Sequence, residues 1–296
     1  MPAGADAVVM VEETDTKGDG LVDIYTPVFP RQHVGRRGAD VATDQTLLHK
    51  GDVLTPSRVG ALAAMGLTDV EVYDQPKVAL LSTGNEIVEP GQALGPGQIY
   101  DINRFTLASV VTRHGGLPSS FPVASDSLEA LGSAVDSILE QETDILVFSG
   151  GSSVGEHDLT TDILREKGEI FFHGIAVKPG KPTVFGQIAK TPVFGMPGYP
   201  TSCLSNAYML LVPFLRTIAR LPPHEAQTLR LPTAQRLVST TGRHQFYTVR
   251  IVDGNAVGAF KASGDITSMS RADGYIEIQA QTDVVEKGEL VEVKLF

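Results

Sequence analysis

Short apolar segments alternate with helical patterns through the middle of the chain. Lys77–Leu81 and Ile145–Phe148 have the composition of buried strands, and Ser127–Leu139 has the apolar spacing of an amphipathic helix. Such alternation is typical of an α/β fold with a mostly parallel central sheet and helices on both faces. We therefore predict such a unit over residues 76–221. The same patterns predict helices at Asp101–His114, Leu159–Lys167 and Cys203–Ala219, and strands at Phe121–Ala124, Glu169–Val177, Thr183–Phe185 and Pro192–Gly195.

The residues before this unit are dominated by strand and turn patterns. Lys17–Gly20 predicts a hairpin turn between strands Val8–Glu12 and Leu21–Tyr25. Because the pattern begins in the middle of an element, residues 1–75 are predicted to be the remnant of a β-rich N-terminal domain. This part is also predicted to hold a helix that is capped by Thr55, starts at Pro56 and ends at Gly66, and a strand at Val70–Tyr73.

Short alternating strands return after a linker at Leu221–Glu225. Gln245–Val252 and Tyr275–Gln279 both alternate apolar and polar residues, and turn residues separate such segments. This pattern predicts a small C-terminal β-barrel over residues 226–296.

Composition narrows the classes of function. The chain has 296 residues and a net charge of -11, so it lacks the basic excess that a general nucleic-acid binder needs. Its single cysteine, Cys203, excludes an internal disulfide, and the apolar neighbours of Cys203 favour a core role over a nucleophilic one. No apolar run is long enough to cross a bilayer, and the N-terminus lacks a signal-peptide pattern. These features predict a cytoplasmic protein without membrane or nucleic-acid partners.

Polar and charged side chains follow the predicted strand ends. In an open α/β sheet, ligands bind at the edge formed by the carboxyl ends of the strands. We therefore expect these side chains to form one site. They are Glu86 with Thr83 and Gly84, Asp126, the segment Ser149–Asp158, Lys178 with Lys181, and Ser202.

The segment Ser149–Asp158 has the features of an oxyanion-binding loop. Its glycines let the backbone approach a ligand, its hydroxyl groups donate, and the next helix begins with free N–H groups. Glu156 and Asp158 add carboxylates, although Asp158 also suits an ordinary strand–turn–helix corner as a helix N-cap. His157 and His173 are isolated, so surface or core roles are expected for both. The loop residues are Ser149, Gly150, Gly151, Ser152, Ser153 and Gly155.

Two lysines and three acids complete the candidate chemistry. The Pro-Gly pair between Lys178 and Lys181 predicts a turn that presents both ammonium groups to an oxyanion. Carboxylates of Glu86, Asp126 and Asp158 beside them suit a divalent metal held against a phosphorylated ligand. The alternatives are that Glu86 is a solvated loop acid, that Asp126 caps a helix, and that the lysines only neutralise Glu86 and Asp158.

Longer motifs carry a family resemblance. The chain contains, in order, LLSTGNEIVEPG (80–91), GQIYDINR (97–104), DILVFSGGSSVGEHD (144–158), VKPGKPTVFG (177–186) and GMPGYPTSC (195–203). PAGADAVVMVE (2–12), GADV (38–41) and SGDITSMSRADGYIEI (263–278) flank them. Together they resemble the molybdopterin molybdenumtransferase family, the MoeA-type proteins and the E domain of gephyrin. The resemblance covers essentially the whole chain and implies a central domain of the MogA/MoaB type.

The resemblance implies a reaction and a role for each matching residue. The reaction is insertion of molybdate into adenylylated molybdopterin, with Mg²⁺-assisted cleavage of the phosphoanhydride and release of AMP. Glu86 and Asp158 are similar to family acids that hold the metal or activate water, and Asp126 matches another such acid, so all three are implied as catalytic residues. The implied molybdate or phosphate contacts are Lys178, Lys181, Pro182, Ser202, Arg243 and Ser263. The implied pterin or nucleotide contacts are Thr83, Gly84, Ser149, Gly150, Gly151, Ser152, Ser153 and Gly155.

The chain also departs from the family pattern. Tyr199 stands where many members have Asn, and Gly174 stands where some have Lys, so molybdate contacts are expected to differ in detail. Family members begin well upstream of the Pro2 match, and the full-length proteins are expected to form homodimers, with a MogA-type protein as a further partner. Two alternatives stay open: a non-catalytic pterin-binding scaffold, and a MogA-like molybdopterin adenylyltransferase, which the flanking domains disfavour.

Overall fold

The computed structural model describes residues 1–150 and 158–296. They divide into two compact units, Met1–Val70 and Glu71–Phe296. The first unit contains a short 3-10 helix at Val11–Glu13, the antiparallel strands β1 (Thr14–Lys17) and β2 (Leu21–Ile24), and helix α1 (Pro56–Ala64).

The N-terminal hairpin forms at the predicted turn, but the predicted first strand, Val8–Glu12, is wrong. Lys17 at the end of β1 pairs with Leu21, so the strand lies directly against the turn. Asp19 and Gly20 have positive φ angles of 70° and 77°, which reverse the chain immediately after β1. Because the turn is short, the residues directly before it, Thr14–Lys17, pair with β2, and Val8–Glu12 lie too far from the turn to do so.

Helix α1 confirms its predicted start and end. The Thr55 hydroxyl accepts a hydrogen bond from the Arg58 backbone N–H over 3.4 Å, Pro56 is the first helical residue, and Gly66 has a φ of 77° beyond the end. The strand predicted at Val70–Tyr73 is wrong, since this segment joins no sheet within the described residues. An alternating pattern does not by itself supply a neighbouring strand.

The second unit opens with an α/β region. In chain order it contains β3 (Lys77–Ser82), β4 (Ile87–Val88), β5 (Ile99–Tyr100), α2 (Asn103–Arg113), β6 (Leu117–Ser120), α3 (Leu128–Leu139), β7 (Ile145–Ser149), α4 (Leu159–Lys167), β8 (Gly168–His173), β9 (Val177–Lys178), β10 (Val184–Ile188), β11 (Thr191–Met196), α5 (Pro200–Asn206), a π-helical turn (Ala207–Leu211) and α6 (Val212–Ile218).

A six-stranded sheet organises this region. Its strand order is β6-β3-β7-β11-β10-β8, and the first four strands are parallel. The hairpin of β10 and β11 then reverses direction, and β8 pairs antiparallel with β10. β8 consequently runs parallel to β11, so its C-terminal end reaches the same edge as the ends of the other parallel strands.

Alternate strand residues face opposite sides of the sheet, and helices cover both sides. Leu80 packs on one side with Leu107 of α2, in a cluster that includes α5 and α6. Leu81 packs on the other side with Leu131 of α3 and Ile163 of α4. Strands and helices alternate along the chain because each helix buries its apolar face against one side of the sheet. This arrangement confirms the mixed α/β class.

Three predicted boundaries in this region need correction. Phe121–Ala124 is not a strand; the strand is the more polar β6, which lies at the sheet edge and needs less apolar surface. Glu169–Val177 is interrupted after His173, because Gly174 has a φ of 84° and ends β8. The last helix begins at α5, before Cys203, because a proline is favoured in the first helical turn.

The C-terminal region contains mostly antiparallel strands. Its elements are β12 (Thr228–Pro232), β13 (Leu237–Val238), β14 (His244–Val252), β15 (Asn255–Gly258), α7 (Thr267–Ser270), β16 (Gly274–Ile278), β17 (Val284–Val285) and β18 (Leu290–Leu295). The main sheet has the order β12-β18-β16-β14-β15, and β9 of the central region joins it beside β14. This pairing connects the two regions through backbone hydrogen bonds. Among the described residues, no helix is both long and apolar enough to cross a membrane.

Candidate functional site

Three parallel strands end side by side at one edge of the central sheet. Ser82 of β3 pairs with Ser149 of β7, which pairs with Met196 of β11. The side-chain oxygens of Ser82 and Ser149 lie 3.1 Å apart and are buried. The loops that follow these strands therefore leave the sheet next to one another, as the α/β pattern predicts.

These loops are joined by backbone contacts. The Thr83 N–H donates to the Ser149 carbonyl over 3.0 Å, and the Gly150 N–H donates to the Met196 carbonyl over 3.4 Å. Gly150 has a φ of 104°, and a Cβ there would collide with the Thr83 carbonyl oxygen. A Cβ on Gly198 would lie 3.5 Å from the Gly150 Cα. Glycine is thus required at position 150, where these loops meet, whereas a side chain at position 198 would make only an ordinary contact.

Glu86 and Asp126 lie on neighbouring loops at this edge. A Cβ added to Gly84 would lie 2.8 and 2.9 Å from the two carboxylate oxygens of Glu86, so this carboxylate folds back over Gly84. Asp126 accepts a hydrogen bond from the Asn85 N–H, and the Asn85 side chain accepts one from the Asp126 N–H, each over 3.2 Å. The structure therefore brings both predicted acids to the Thr83–Gly84 turn.

Helix α3 is not capped by Asp126. Ser127 is the N-cap, and its hydroxyl accepts from the Ala130 N–H over 3.2 Å. The alternative structural role for Asp126 is therefore wrong, since the hydroxyl one residue later takes the capping position. The exposed Asp126 carboxylate instead ties the loop after β6 to the loop after β3.

The two carboxylate oxygens of Asp158 have different surroundings. One carboxylate oxygen caps α4 by accepting from the Thr161 N–H over 3.2 Å. The other is buried, has no hydrogen-bond partner within the described residues, and lies 3.5 Å from Nε2 of His173. His173 is therefore not isolated, contrary to the prediction, because β8 ends beside the start of α4.

Lys178 ends β9 and Lys181 lies in the loop that leads to β10, and we refer to residues 178–183 as the lysine-bearing loop. The Lys178 amine donates to the Thr240 hydroxyl over 2.6 Å, and the Lys181 carbonyl accepts from the Ile175 and Thr183 N–H groups, each over 2.9 Å. Lys181 is exposed and Pro182 is partly buried. In the described part of the chain, neither lysine forms an ion pair with Glu86 or Asp158, so mutual neutralisation does not explain them.

The C-terminal region contacts this loop at the turn that precedes β14. The Arg243 N–H donates to the Thr240 carbonyl over 3.3 Å, closing a turn directly before the strand. His244 and Gln245 of β14 then pair with Val177 and Lys178 of β9. Arg243 is thus brought to the end of the lysine-bearing loop by the backbone.

A second contact joins the start of α5 to the segment that contains Ser263. The Thr201 N–H donates to the Ser263 carbonyl over 3.0 Å, and the Thr201 hydroxyl donates to the Asp265 carbonyl over 3.2 Å. Ser202 follows Thr201 in the first turn of α5 and is buried. Tyr199 is 66% exposed and lies against Gly264.

Two buried side-chain amides, of Asn103 and Asn206, bond to the backbone of these loops, and the sequence analysis did not identify either residue. The Asn103 side-chain N–H donates to the Gly198 carbonyl over 2.8 Å. Asn206, the last residue of α5, donates to the Gly180 carbonyl over 2.8 Å and to the Thr183 hydroxyl over 2.5 Å. Both amides are recognised by their burial in the folded chain, which no local sequence pattern marks.

Several predicted positions lie elsewhere or outside the described residues. Gly151, Ser152, Ser153, Gly155, Glu156 and His157 fall outside them. Cys203 is fully buried in the core, where burial raises the pKa of its thiol, which confirms the predicted core role. The described residues contain no group of three or more His, Cys, Asp and Glu side chains suited to a metal.

A separate groove of about 920 Å³ runs between α6 and the C-terminal sheet. Arg216, His224, Tyr275 and Lys294 are among the residues that line it. None of the predicted site residues that the structure describes lines this groove. It is therefore distinct from the edge of the central sheet.

Three family models match the chain in succession. A MoeA N-terminal region (domains I and II) matches residues 1–66, a probable molybdopterin-binding domain matches 79–217, and a MoeA C-terminal region (domain IV) matches 230–296.

Known relatives match this chain over nearly all of its length. Molybdopterin molybdenumtransferase of Haemophilus influenzae (strain ATCC 51907 / DSM 11121 / KW20 / Rd) is 31% identical over 304 residues, covering 100% of this chain and 75% of the relative. Molybdopterin molybdenumtransferase 2 of Mycobacterium tuberculosis is 34% identical over 300 residues, covering 97% and 72%. Two structures of molybdopterin biosynthesis MoeA protein from Pyrococcus horikoshii have TM-scores of 0.80 and 0.74, with 40% and 28% identity, covering 100% of this chain and 73% of those chains.

Proposed function

The chain belongs to the molybdopterin molybdenumtransferase family of molybdenum cofactor biosynthesis, and from this we propose that it inserts molybdate into adenylylated molybdopterin. AMP would be the leaving product, and Mg²⁺ held by Glu86 and Asp158 would assist its release. The observation that carries the proposal is the convergence of loops at one sheet edge. The loop of Lys181 leads into β10 beside the ends of β11 and β7, and the Lys178 amine contacts the Arg243 turn through Thr240.

The cationic side supports binding of the oxyanion substrate. Lys178, Lys181 and Arg243 offer N–H donors to molybdate, a tetrahedral dianion, and charge-assisted hydrogen bonds of this kind are the strong ones. Ser202 and Ser263 lie on segments joined by the Thr201 contact, and Pro182 borders the loop. These cationic side chains would balance the negative charge of the substrate locally. A local balance is needed because the chain as a whole has a net charge of -11 and would repel an anion.

The acidic side supports binding of the metal. The buried Asp158 oxygen without a hydrogen-bond partner among the described residues and the carboxylate of Glu86 are hard oxygen donors of the kind Mg²⁺ prefers. Mg²⁺, when bound, would neutralise charge on the phosphoanhydride as it breaks. The exposed Asp126 would orient an attacking oxygen, and Thr83, Gly84, Ser149 and Gly150 would contact the pterin or its nucleotide.

The same family assignment supports finer features of architecture and assembly. We place the domain limits at residues 1–75, 76–221 and 226–296, with a MogA/MoaB-like central domain and a small C-terminal barrel. The first unit leaves large apolar side chains exposed, among them Val11 at 76% and Phe29 at 67%. Such a surface fits a homodimer. A MogA-type protein, which adenylylates molybdopterin, would supply the substrate.

Turnover with defined substrates tests this function. The purified chain is incubated with adenylylated molybdopterin, molybdate and MgCl₂, and AMP release is measured by chromatography. Lys181→Ala should lower the rate at least tenfold, while Lys190→Ala, which removes an exposed lysine from the β10–β11 hairpin, should leave it unchanged. Tight pterin binding without AMP release would identify a scaffold instead, and ATP-dependent adenylylation of molybdopterin would identify the adenylyltransferase.

A further inference from the structure

The lysine-bearing loop is fixed at two points by side chains from other elements. Asn206 holds the Gly180 carbonyl from within the helical layer, and Thr240 holds the Lys178 amine from the C-terminal region. The Asn206 contact fixes backbone, whereas the Thr240 contact fixes the charged group itself. Thr240 therefore has a more direct influence on where positive charge is presented.

The partner of Lys178 leaves the amine able to bind an anion. An ammonium group has three N–H donors, and the Thr240 hydroxyl takes one of them over 2.6 Å. A neutral hydroxyl does not cancel the positive charge, as a carboxylate would. Among the described residues no acid forms an ion pair with Lys178 and only Thr240 accepts from its amine, so within that part of the chain its charge and two donors stay available.

The same turn contains the second residue with a cationic side chain, Arg243. Thr240 accepts from the Arg243 N–H through its carbonyl and from Lys178 through its hydroxyl. The His244 N–H donates to the Ala176 carbonyl over 2.8 Å, which fixes the register of β14 against β9. One residue is thus bonded to both cation-bearing segments.

We propose that Thr240 is a positioning residue for oxyanion binding, which sets the Lys178 ammonium beside the Arg243 turn so that both receive one tetrahedral dianion of the molybdate or tungstate class. The inference rests on the proposed function of this site. Holding a long, flexible lysine in place before the anion arrives lowers the conformational entropy lost on binding. Loss of the hydroxyl should therefore weaken anion binding without unfolding the loop.

Equilibrium dialysis with molybdate tests this role directly. Thr240→Val keeps the side-chain shape and removes the hydroxyl, and it should raise the molybdate Kd about tenfold, since a hydrogen bond to a charged group is lost. Thr240→Ser restores the hydroxyl and should return the Kd to within about twofold of the parent value. The matched control is Thr241→Val. The Thr241 hydroxyl donates to Asp283 over 2.5 Å and forms no hydrogen bond to Lys178, so this variant should leave the Kd unchanged.

Kinetics provide a second readout and keep the two proposals apart. In the AMP-release assay, Thr240→Val should raise the KM for molybdate and leave the KM for adenylylated molybdopterin unchanged. An equal Kd for Thr240→Val and the parent, or failure of Thr240→Ser to rescue, would overturn the role of Thr240. A parent chain that binds molybdate but releases no AMP would overturn the proposed reaction and leave the binding role intact.

Discussion

The side-chain amide of Asn206 donates to the carbonyl oxygen of Gly180 over 2.8 Å, although the two residues are 26 positions apart. The same amide nitrogen is 2.5 Å from the Thr183 hydroxyl, which in turn donates to the Gly180 carbonyl over 3.0 Å. This buried triangle fixes the turn between Lys178 and Lys181 to the helical layer. The loop is therefore held in one conformation before any ligand arrives.

Replacement of Asn206 should loosen this turn. Asn206→Ala removes the donor and leaves a buried carbonyl underbonded, so we expect a loss of about 2–3 kcal/mol in the free energy of unfolding and a raised KM for molybdate. Urea denaturation and the AMP-release assay measure the two effects. The control is Ser205→Ala, which is equally buried but bonds only to its own helix, and it should cost less than about 1 kcal/mol. Equal losses in the two variants would contradict the special role of Asn206.

Gly180 should tolerate no side chain. Its φ is 103°, and an added Cβ would collide with the side chain of Asn206. Gly180→Ala should therefore destabilise the chain by about 3 kcal/mol or more, combining backbone strain with steric overlap. Gly91→Ala is the matched control, because Gly91 has a φ of 96° with open space around it, and it should cost only about 1 kcal/mol. Similar unfolding midpoints for both variants would show that the overlap relaxes freely.

The sequence predicts best those features that depend on neighbouring residues. Thr55 and Pro56 define a helix start because the cap and the first turn are contiguous in the chain. The strand β7, apolar from Ile145 to Phe148, is recognised because it is buried on both faces. Pattern reasoning fails at β6, whose polar residues are tolerated at a sheet edge, and it places the strand four residues too late.

Contacts between distant segments were beyond the sequence patterns. Lys178 and Thr240 are 62 positions apart, and their hydrogen bond depends on the pairing of β9 with β14, which no local pattern encodes. The contact between Asp158 and His173 likewise depends on where β8 ends relative to the start of α4 in the folded chain. The roles of Glu86, Asp158 and the two lysines stay predictions that come from the family resemblance.

Two substitutions should separate the capping role of Asp158 from its charge. Asp158→Asn keeps an oxygen that accepts from the Thr161 N–H but removes the carboxylate, so stability should hold while Mg²⁺-dependent AMP release falls. Asp158→Ala removes both, and it should lose AMP release and about 1 kcal/mol of stability. Thermal unfolding and the Mg²⁺ dependence of the rate are the measurements. Full activity in Asp158→Asn would rule out a need for the charge.

A buried histidine away from the site should make stability depend on pH. Both ring nitrogens of His114 are buried without a hydrogen-bond partner in the described residues, and its ring packs edge-on against His224 at 4.7 Å between centroids. Burial, with the nearby charges of His224, Arg216 and Arg113, lowers the pKa of His114 from 6.5 to about 4. The unfolded chain therefore takes up a proton at this residue at a higher pH than the folded chain does.

The sign of this effect sets the window in which to look for it. Well above pH 6.5 the ring is neutral in both states, and stability falls as the pH drops through 6.5 towards 4, by at most roughly 3 kcal/mol. His114→Phe keeps an aromatic ring without a titrating nitrogen, so its unfolding free energy should fall less steeply over that window than that of the parent chain. His49→Phe, at a side chain that is 79% exposed, should keep the parent slope. Parallel curves for His114→Phe and the parent chain would show that the folded protein protonates this ring without cost.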